Sequence, residues 1–225
     1  MAGYRRFAVY HTPVPGDLAR FGAAWLGWDS AAGRAVDHPA LEGLSPAQIA
    51  ALTEVPRRYG FHATLRPPFA AVHGAAALAD DLAALAAGLA PVDAGDLVLA
   101  RVGGFLALIP RAQPGALTDL AAALVRGLDR HRPPLAPQDR ARRNPDALPP
   151  RERGLLDRWG YPWVMEAFRF HMTLTGPNVP ATVEAALRPV LDPILPRPLV
   201  VDAVTLSGED DQGRFHDIAR YPLRG

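Results

Sequence analysis

Two short phrases hold the residue types that can move protons around a phosphate. Phe61-His62-Ala63-Thr64-Leu65 and Phe170-His171-Met172-Thr173-Leu174 share the form aromatic, His, any residue, Thr, Leu. Each lies in a stretch that alternates polar and apolar residues, and side chains two apart in a strand point to one face. His62 and Thr64 therefore share a face, opposite Phe61, Ala63 and Leu65. His171 and Thr173 share another, opposite Phe170, Met172 and Leu174. An imidazole, with an ordinary pKa near ~6.5, gives or takes a proton at neutral pH. One imidazole deprotonating water while another protonates a leaving oxygen is general acid–base catalysis, worth roughly 10²–10⁴-fold per group. Threonine hydroxyls can donate to the non-bridging oxygens of a phosphate. The set requires neither a metal nor a nucleophilic side chain. It suits hydrolysis or transesterification at phosphorus, above all of a strained cyclic phosphodiester. Either His alone reads as a half-buried strand histidine bonded to nearby backbone. Matching flanks on both, half a chain apart, favour a working pair.

The elements around the phrases must bring them together. Residues 6–11 read as a strand closed by a Pro/Gly turn, and 17–28 as a helix with Leu18, Phe21, Trp25 and Leu26 on one side. Ser45-Pro46 is an N-cap and first-turn pair for a helix through Leu52. The first His strand is expected over 59–66, stopped by Pro67-Pro68, and the second over 168–175, stopped by Gly176-Pro177. Helices are expected over 75–89, 114–128 and 180–191, and a hairpin over 96–110 around Gly103-Gly104. A closing pair of strands is expected over 199–206 and 214–223. Segment 129–153, dense in Arg, Pro and Asp, reads as a long loop or mobile insert, with a short helix over 151–159. A similar order of elements before and after that insert suggests an internal duplication. The short hairpins place the fold in the α+β class.

Strand parity extends the candidate site. Arg66 falls on the face of His62, while Arg169 and Thr175 fall on the face of His171. A guanidinium there would clamp a phosphate oxygen; the alternative is a rim Arg paired with a carboxylate. Tyr10, ending the first strand, and Tyr59 are candidates for lining the substrate, with packing as the alternative for both.

Composition narrows the function classes. The chain has 225 residues, 49% of them hydrophobic, enough for one large domain or two lobes with a proper core. A net charge of +1 gives no strong pull toward nucleic acid or an anionic membrane. All 24 basic residues are Arg, so Schiff-base chemistry and a P-loop lysine are excluded. Without Cys there are no disulfides, thiolate nucleophiles or cysteine metal sites. No His-Glu-x-x-His spacing appears, so neither a metal nor another cofactor is expected. The opening residues 1–10 lack the apolar core of a signal peptide, and runs such as 97–109 are too broken by Gly to span a bilayer. The expectation is a cytoplasmic protein with no membrane partner.

The paired phrases resemble those of the 2H phosphoesterase superfamily, which includes RNA 2′,3′-cyclic phosphodiesterases. The longer contexts over 57–69 and 168–176, and Arg20-Phe21-Gly22-Ala23-Ala24-Trp25-Leu26-Gly27, are similar to its branch associated with phosphonate metabolism. The resemblance covers most of the chain. It implies one bilobal, duplicated domain over 1–225: two antiparallel sheets with flanking helices around a central cleft, each lobe delivering one phrase. It also implies that His62 and His171 are the acid–base pair and that Thr64 and Thr173 bind phosphate. The expected activity is a phosphodiesterase acting on a small, cyclic, ribose- or nucleotide-type metabolite. An RNA 2′,3′-cyclic phosphodiesterase, or a non-catalytic module that senses a phosphorylated metabolite, are the alternatives; nucleic acid is the less favoured partner.

Overall fold

The computed structural model describes residues 3–225; the first two residues of stretch 1–10 lie outside the described residues. The chain runs through β1 (Arg6–His11), α1 (Asp17–Leu26), β2 (Trp28–Asp29), β3 (Arg34–Ala35) and α2 (Pro46–Leu52). Then come β4 (Ala63–Phe69), α3 (Gly74–Ala87), β5 (Val92–Gly95), β6 (Leu97–Val102), β7 (Phe105–Pro110) and α4 (Gly115–Gly127). Two helices follow, α5 (Pro137–Ala141) and α6 (Pro150–Trp159). The chain closes with β8 (Met172–Thr173), α7 (Ala181–Leu191), β9 (Leu199–Val201), β10 (Ala203–Glu209) and β11 (Phe215–Pro222).

The α+β class is as expected. The main sheet has seven strands in the order β11-β10-β1-β4-β8-β7-β6, and its pairings are antiparallel. It consists of two arrays, β11-β10-β1-β4 and β8-β7-β6, which meet at the two His-bearing strands. That junction is a single register pair, Ala63 opposite Met172. Small sheets β2-β3 and β5-β9 stand apart. The C-terminal hairpin joins the array of the N-terminal strand, so the two arrays interleave along the chain. Helix α3 packs on β10 and β11, α4 on β4 and β5, and α7 on β6. Their apolar stripes (Leu78 and Leu82, Leu117, Leu120 and Leu124, Val183 and Leu187) join one continuous core with Phe61, Leu65, Phe170, Met172 and Leu174. The apolar edges of both His phrases are thus anchored in the same core.

Local signals explain most boundaries. Ser45 caps α2 by accepting from the Gln48 N–H, while Gln48 Oε1 accepts from the Ser45 N–H at 2.8 Å, a reciprocal box. Helix α1 ends at Leu26, two residues short of Trp28, on a left-handed Gly27 (φ 75°), where an added Cβ would lie 2.8 Å from His38 Cε1. Four expectations change. Tyr59 belongs to a 3₁₀ turn, Pro56–Tyr59, and β4 continues through Pro67-Pro68 to Phe69. The prolines fit because β8 is two residues long and pairs with β4 only at Ala63, so no ladder bond is lost on that side. The second His strand shrinks to Met172–Thr173, since Leu174 and Thr175 N–H both turn to the Leu106 carbonyl. The stretch 199–206 breaks at Asp202 into β9 and β10, which enter different sheets. Finally, 129–153 is not a bare loop: it holds α5, the start of α6 and 3₁₀ turns, laced by pairs such as Arg140–Asp157 and Arg132–Asp129.

Candidate active site

His62 and His171 sit immediately before β4 and β8, where the two arrays meet. Both line one cleft of about 360 Å³, together with Thr64 and Thr173. The rings are held in the same way. His62 Nδ1–H donates to the Gly60 carbonyl at 2.9 Å, and His171 Nδ1–H donates to the Arg169 carbonyl at 2.8 Å. With Nδ1 committed to a backbone acceptor two residues back, Nε2 is the exchangeable nitrogen on each ring. The carbonyl is presented by Gly60 at φ 71°, a position that calls for glycine, since an added Cβ would lie 2.6 Å from Ser30 Oγ. The Trp25 indole N–H donates to the Leu174 carbonyl at 2.7 Å, tying α1 to the second phrase.

The surroundings of the rings differ. His62 stacks on Tyr10, centroids 3.8 Å apart, and its Nε2 accepts from the Thr64 hydroxyl at 3.0 Å. Burial pushes the His62 imidazolium down to about 4; the Gly60 bond opposes this, and charge on His171 adds to it. His62 is therefore neutral across the physiological range. Among the described residues, the aromatic ring against His171 is that of Phe105, tilted and 5.8 Å away. Beneath His62, Tyr10 is buried, its hydroxyl has no hydrogen-bond partner among the described residues, and burial holds that phenol well above its ordinary value.

Of the further candidates, the cleft contains Tyr10, Tyr59 and Thr175. Tyr59 stacks on Phe215 at 5.2 Å. The Thr175 hydroxyl is occupied, accepting from the Leu106 N–H at 2.9 Å, so it braces β7. Arg66 is a correction. It is buried outside the cleft, donates to the carbonyls of Val125 (2.8 Å) and Leu128 (3.3 Å) at the end of α4, and packs over Phe69. The cause is a register shift: Val9 pairs with Arg66 while Tyr10 pairs with Thr64, so Leu65 and Arg66 both turn to the helix side. Arg169 is a second correction. It does not line the cleft; it is exposed and donates to the Phe168 and Glu166 carbonyls. Its part is the carbonyl that anchors His171.

Sequence reading missed Arg6, Phe105, Arg143 and Tyr161, which all line the cleft. Arg6 was within reach of the parity argument, four residues before Tyr10 on the same strand. It is gripped by buried Glu209 through two bonds of 2.5 and 2.8 Å. Arg143 and Tyr161 come from the segment between α5 and β8 and carry no local signal. Among the described residues, no group of three His, Cys, Asp or Glu side chains could hold a metal ion, and no helix is long and apolar enough to cross a membrane.

Comparison with known proteins places this geometry in a family. Residues 64–216 match the family described as "Protein of unknown function (DUF1045)". The chain belongs to that family. Among solved structures, this DUF1045 chain is similar to apo E. coli LigT, with a TM-score of 0.50 and 14% identity over the full length of both. That likeness shows a shared fold, the one implied by the resemblance to 2H phosphoesterases. Two curated relatives bear the name ribose 1,5-bisphosphate phosphokinase PhnN. The protein from Janthinobacterium sp. (strain Marseille) is 32% identical over 98% of this chain and 51% of its own length. That from Laribacter hongkongensis (strain HLHK9) is 40% identical over 76% of this chain and 40% of its own length. The DUF1045 chain thus spans about half, or less, of the curated relatives it matches.

Proposed function

We propose that the protein is a metal-independent phosphodiesterase that opens a small cyclic phosphodiester of a ribose- or nucleotide-type metabolite, in the setting of phosphonate metabolism. The observation that carries this reading is the pair of imidazoles on one cleft, both anchored through Nδ1–H so that each Nε2 is the proton-exchanging atom. His62, held neutral by burial, takes a proton from water as the water oxygen bonds to phosphorus. The ring P–O bond breaks, and His171 Nε2–H protonates the leaving oxygen. Water and the cyclic diester become a phosphomonoester and a free hydroxyl. Thr173, and Thr64 once its hydroxyl turns from His62, donate to the non-bridging oxygens.

The ribose assignment draws on the relatives' names. A chain without Lys lacks the P-loop lysine of a nucleotide-dependent kinase, so the phosphokinase activity in those names is not carried over to this chain. A neighbouring half that yields a ribose phosphomonoester by ring opening is chemically consistent with that name. The test is turnover on a panel of ribose cyclic phosphates and 2′,3′-cyclic nucleotides, with calorimetric binding alongside. Expected is ring opening of a ribose cyclic phosphate, lost by about 10²–10⁴-fold in His62→Ala and in His171→Ala with the fold intact by circular dichroism. Full turnover in the double variant would refute the mechanism, and tight binding without turnover would make the protein a sensor.

A further inference from the structure

The cleft continues beyond the imidazoles. It shares Arg6, Pro68 and Arg143 with a second cavity of about 460 Å³. The wall of that second cavity has four guanidiniums, Arg6, Arg132, Arg142 and Arg143, against the single carboxylate of Asp139. Three of the four are matched: Arg6 by Glu209, Arg132 by Asp129, and Arg142 by Asp139. Arg143 makes no ion pair among the described residues. Its guanidinium lies over the ring of Tyr161, 4.8 Å from the centroid, at the mouth between the two cavities. Stacking uses the face of a guanidinium and leaves the N–H groups at its edge free, the geometry that grips two oxygens of one phosphate.

We propose that Arg143 docks a second phosphoryl group, so that the substrate is a cyclic phosphodiester that also carries a terminal phosphomonoester. This rests on the phosphoesterase reading of the cleft. A terminal monoester is favoured over the backbone of a polymer. A polymer track needs a row of unpaired cations interleaved with stacking faces, whereas the other three guanidiniums here are already matched. Arg143 therefore sets which sugar phosphates are accepted. His62 and His171 serve the reacting phosphorus, and Arg143 serves the distal one.

Two comparisons test this with the full chain. Calorimetry sets ribose 1,5-bisphosphate against ribose 1-phosphate, for wild type and Arg143→Gln. The bisphosphate is expected to bind the wild type about 10- to 100-fold more tightly, and the advantage to shrink to about twofold in R143Q. Arg143→Lys, which keeps the charge but not the two-toothed grip, is expected to recover part of it. Circular dichroism melting confirms that the variants fold. The second comparison is turnover of a ribose cyclic phosphodiester with and without a 5-phosphoryl group, where R143Q is expected to lose at least about tenfold more on the phosphorylated ester. A wild type with no preference for the bisphosphate, or an R143Q that keeps it, overturns the Arg143 site. Turnover of neither ester by the wild type defeats the phosphoesterase reading instead, and the calorimetric comparison still decides the site.

Discussion

The two His phrases are nearly the same in sequence and occupy different environments. The first leads into a seven-residue strand flanked by β1 and β8, and its ring is stacked on buried Tyr10 and bonded to Thr64. The second leads into a two-residue strand; its ring is open to the cleft, and among the described residues no hydrogen bond joins His171 to Thr173. The shared feature is the Nδ1–H anchor; the difference is what packs on each ring, Tyr10 and Thr64 on His62 against a tilted Phe105 on His171. Burial disfavours the charged form of His62 and keeps its Nε2 free of a proton at neutral pH, as the proposed base requires, while His171 faces the cleft as the proposed acid. One local motif used twice thus meets two environments, because neighbours distant in sequence pack against one ring and not the other.

The largest expected effect tests that assignment through the leaving group. An acid catalyst matters for an alkyl leaving oxygen and little for a nitrophenyl one, which departs without a proton. H171A should lose about 10³-fold on a sugar cyclic phosphodiester but only about tenfold on a nitrophenyl phosphodiester, whereas H62A should lose about 10³-fold on both. The opposite pattern in steady-state rates would exchange the two roles. Next come the hydroxyls: Thr64→Val and Thr173→Val should each lower kcat by roughly 10²-fold with substrate binding less affected, the loss expected for an oxyanion donor. Equal rates in wild type and both variants would remove the threonines from the phosphate cradle.

The asymmetry also predicts a pH dependence. The acid limb of kcat/KM, which reports the free enzyme, should fall near pH 4 and not near ~6.5. Stability should follow the same groups. His11, buried with both ring nitrogens unpartnered, is likewise pushed down to about 4 by burial. Each native imidazole binds fewer protons than its unfolded counterpart between about pH 6.5 and 4. Their stabilising contribution is complete above that window and lost on acidification through it, roughly 3 kcal/mol for His11 alone. Denaturant titrations at pH 7 and 4.5 measure it, and equal midpoints would contradict it. The corrected arginine gives a smaller effect of a different kind. Arg66→Ala strands two carbonyls at the end of α4 and should cost about 2–3 kcal/mol in a urea melt, with KM within about twofold of wild type. A large rise in KM would return Arg66 to the cleft. The smallest effect is expected from Tyr10→Phe, which keeps the ring under His62 and removes an unpartnered buried hydroxyl. It should be neutral or stabilising by up to about 1 kcal/mol in thermal melts.

Much of this molecule is local. Two-residue alternation placed His62 with Thr64 and His171 with Thr173, and placed their apolar partners in the core, because strand parity depends only on backbone geometry over a few residues. Helical periodicity, the Ser45 cap and the Gly103-Gly104 hairpin are legible for the same reason. Parity failed where the ladder did. The register shift opposite Val9 sent Arg66 to the end of α4, and the shared Leu106 carbonyl turned the Thr175 hydroxyl inward. Nothing within a few residues of Arg66 or Thr175 reveals those shifts, since they arise from the partner strand. Only the tertiary structure brings Arg143 and Tyr161 to the cleft that holds the imidazoles, and only burial in the packed chain lowers the proton affinity of His62 below that of a free histidine. Desolvation and long-range contact belong to the packed chain, and no stretch of sequence carries them alone.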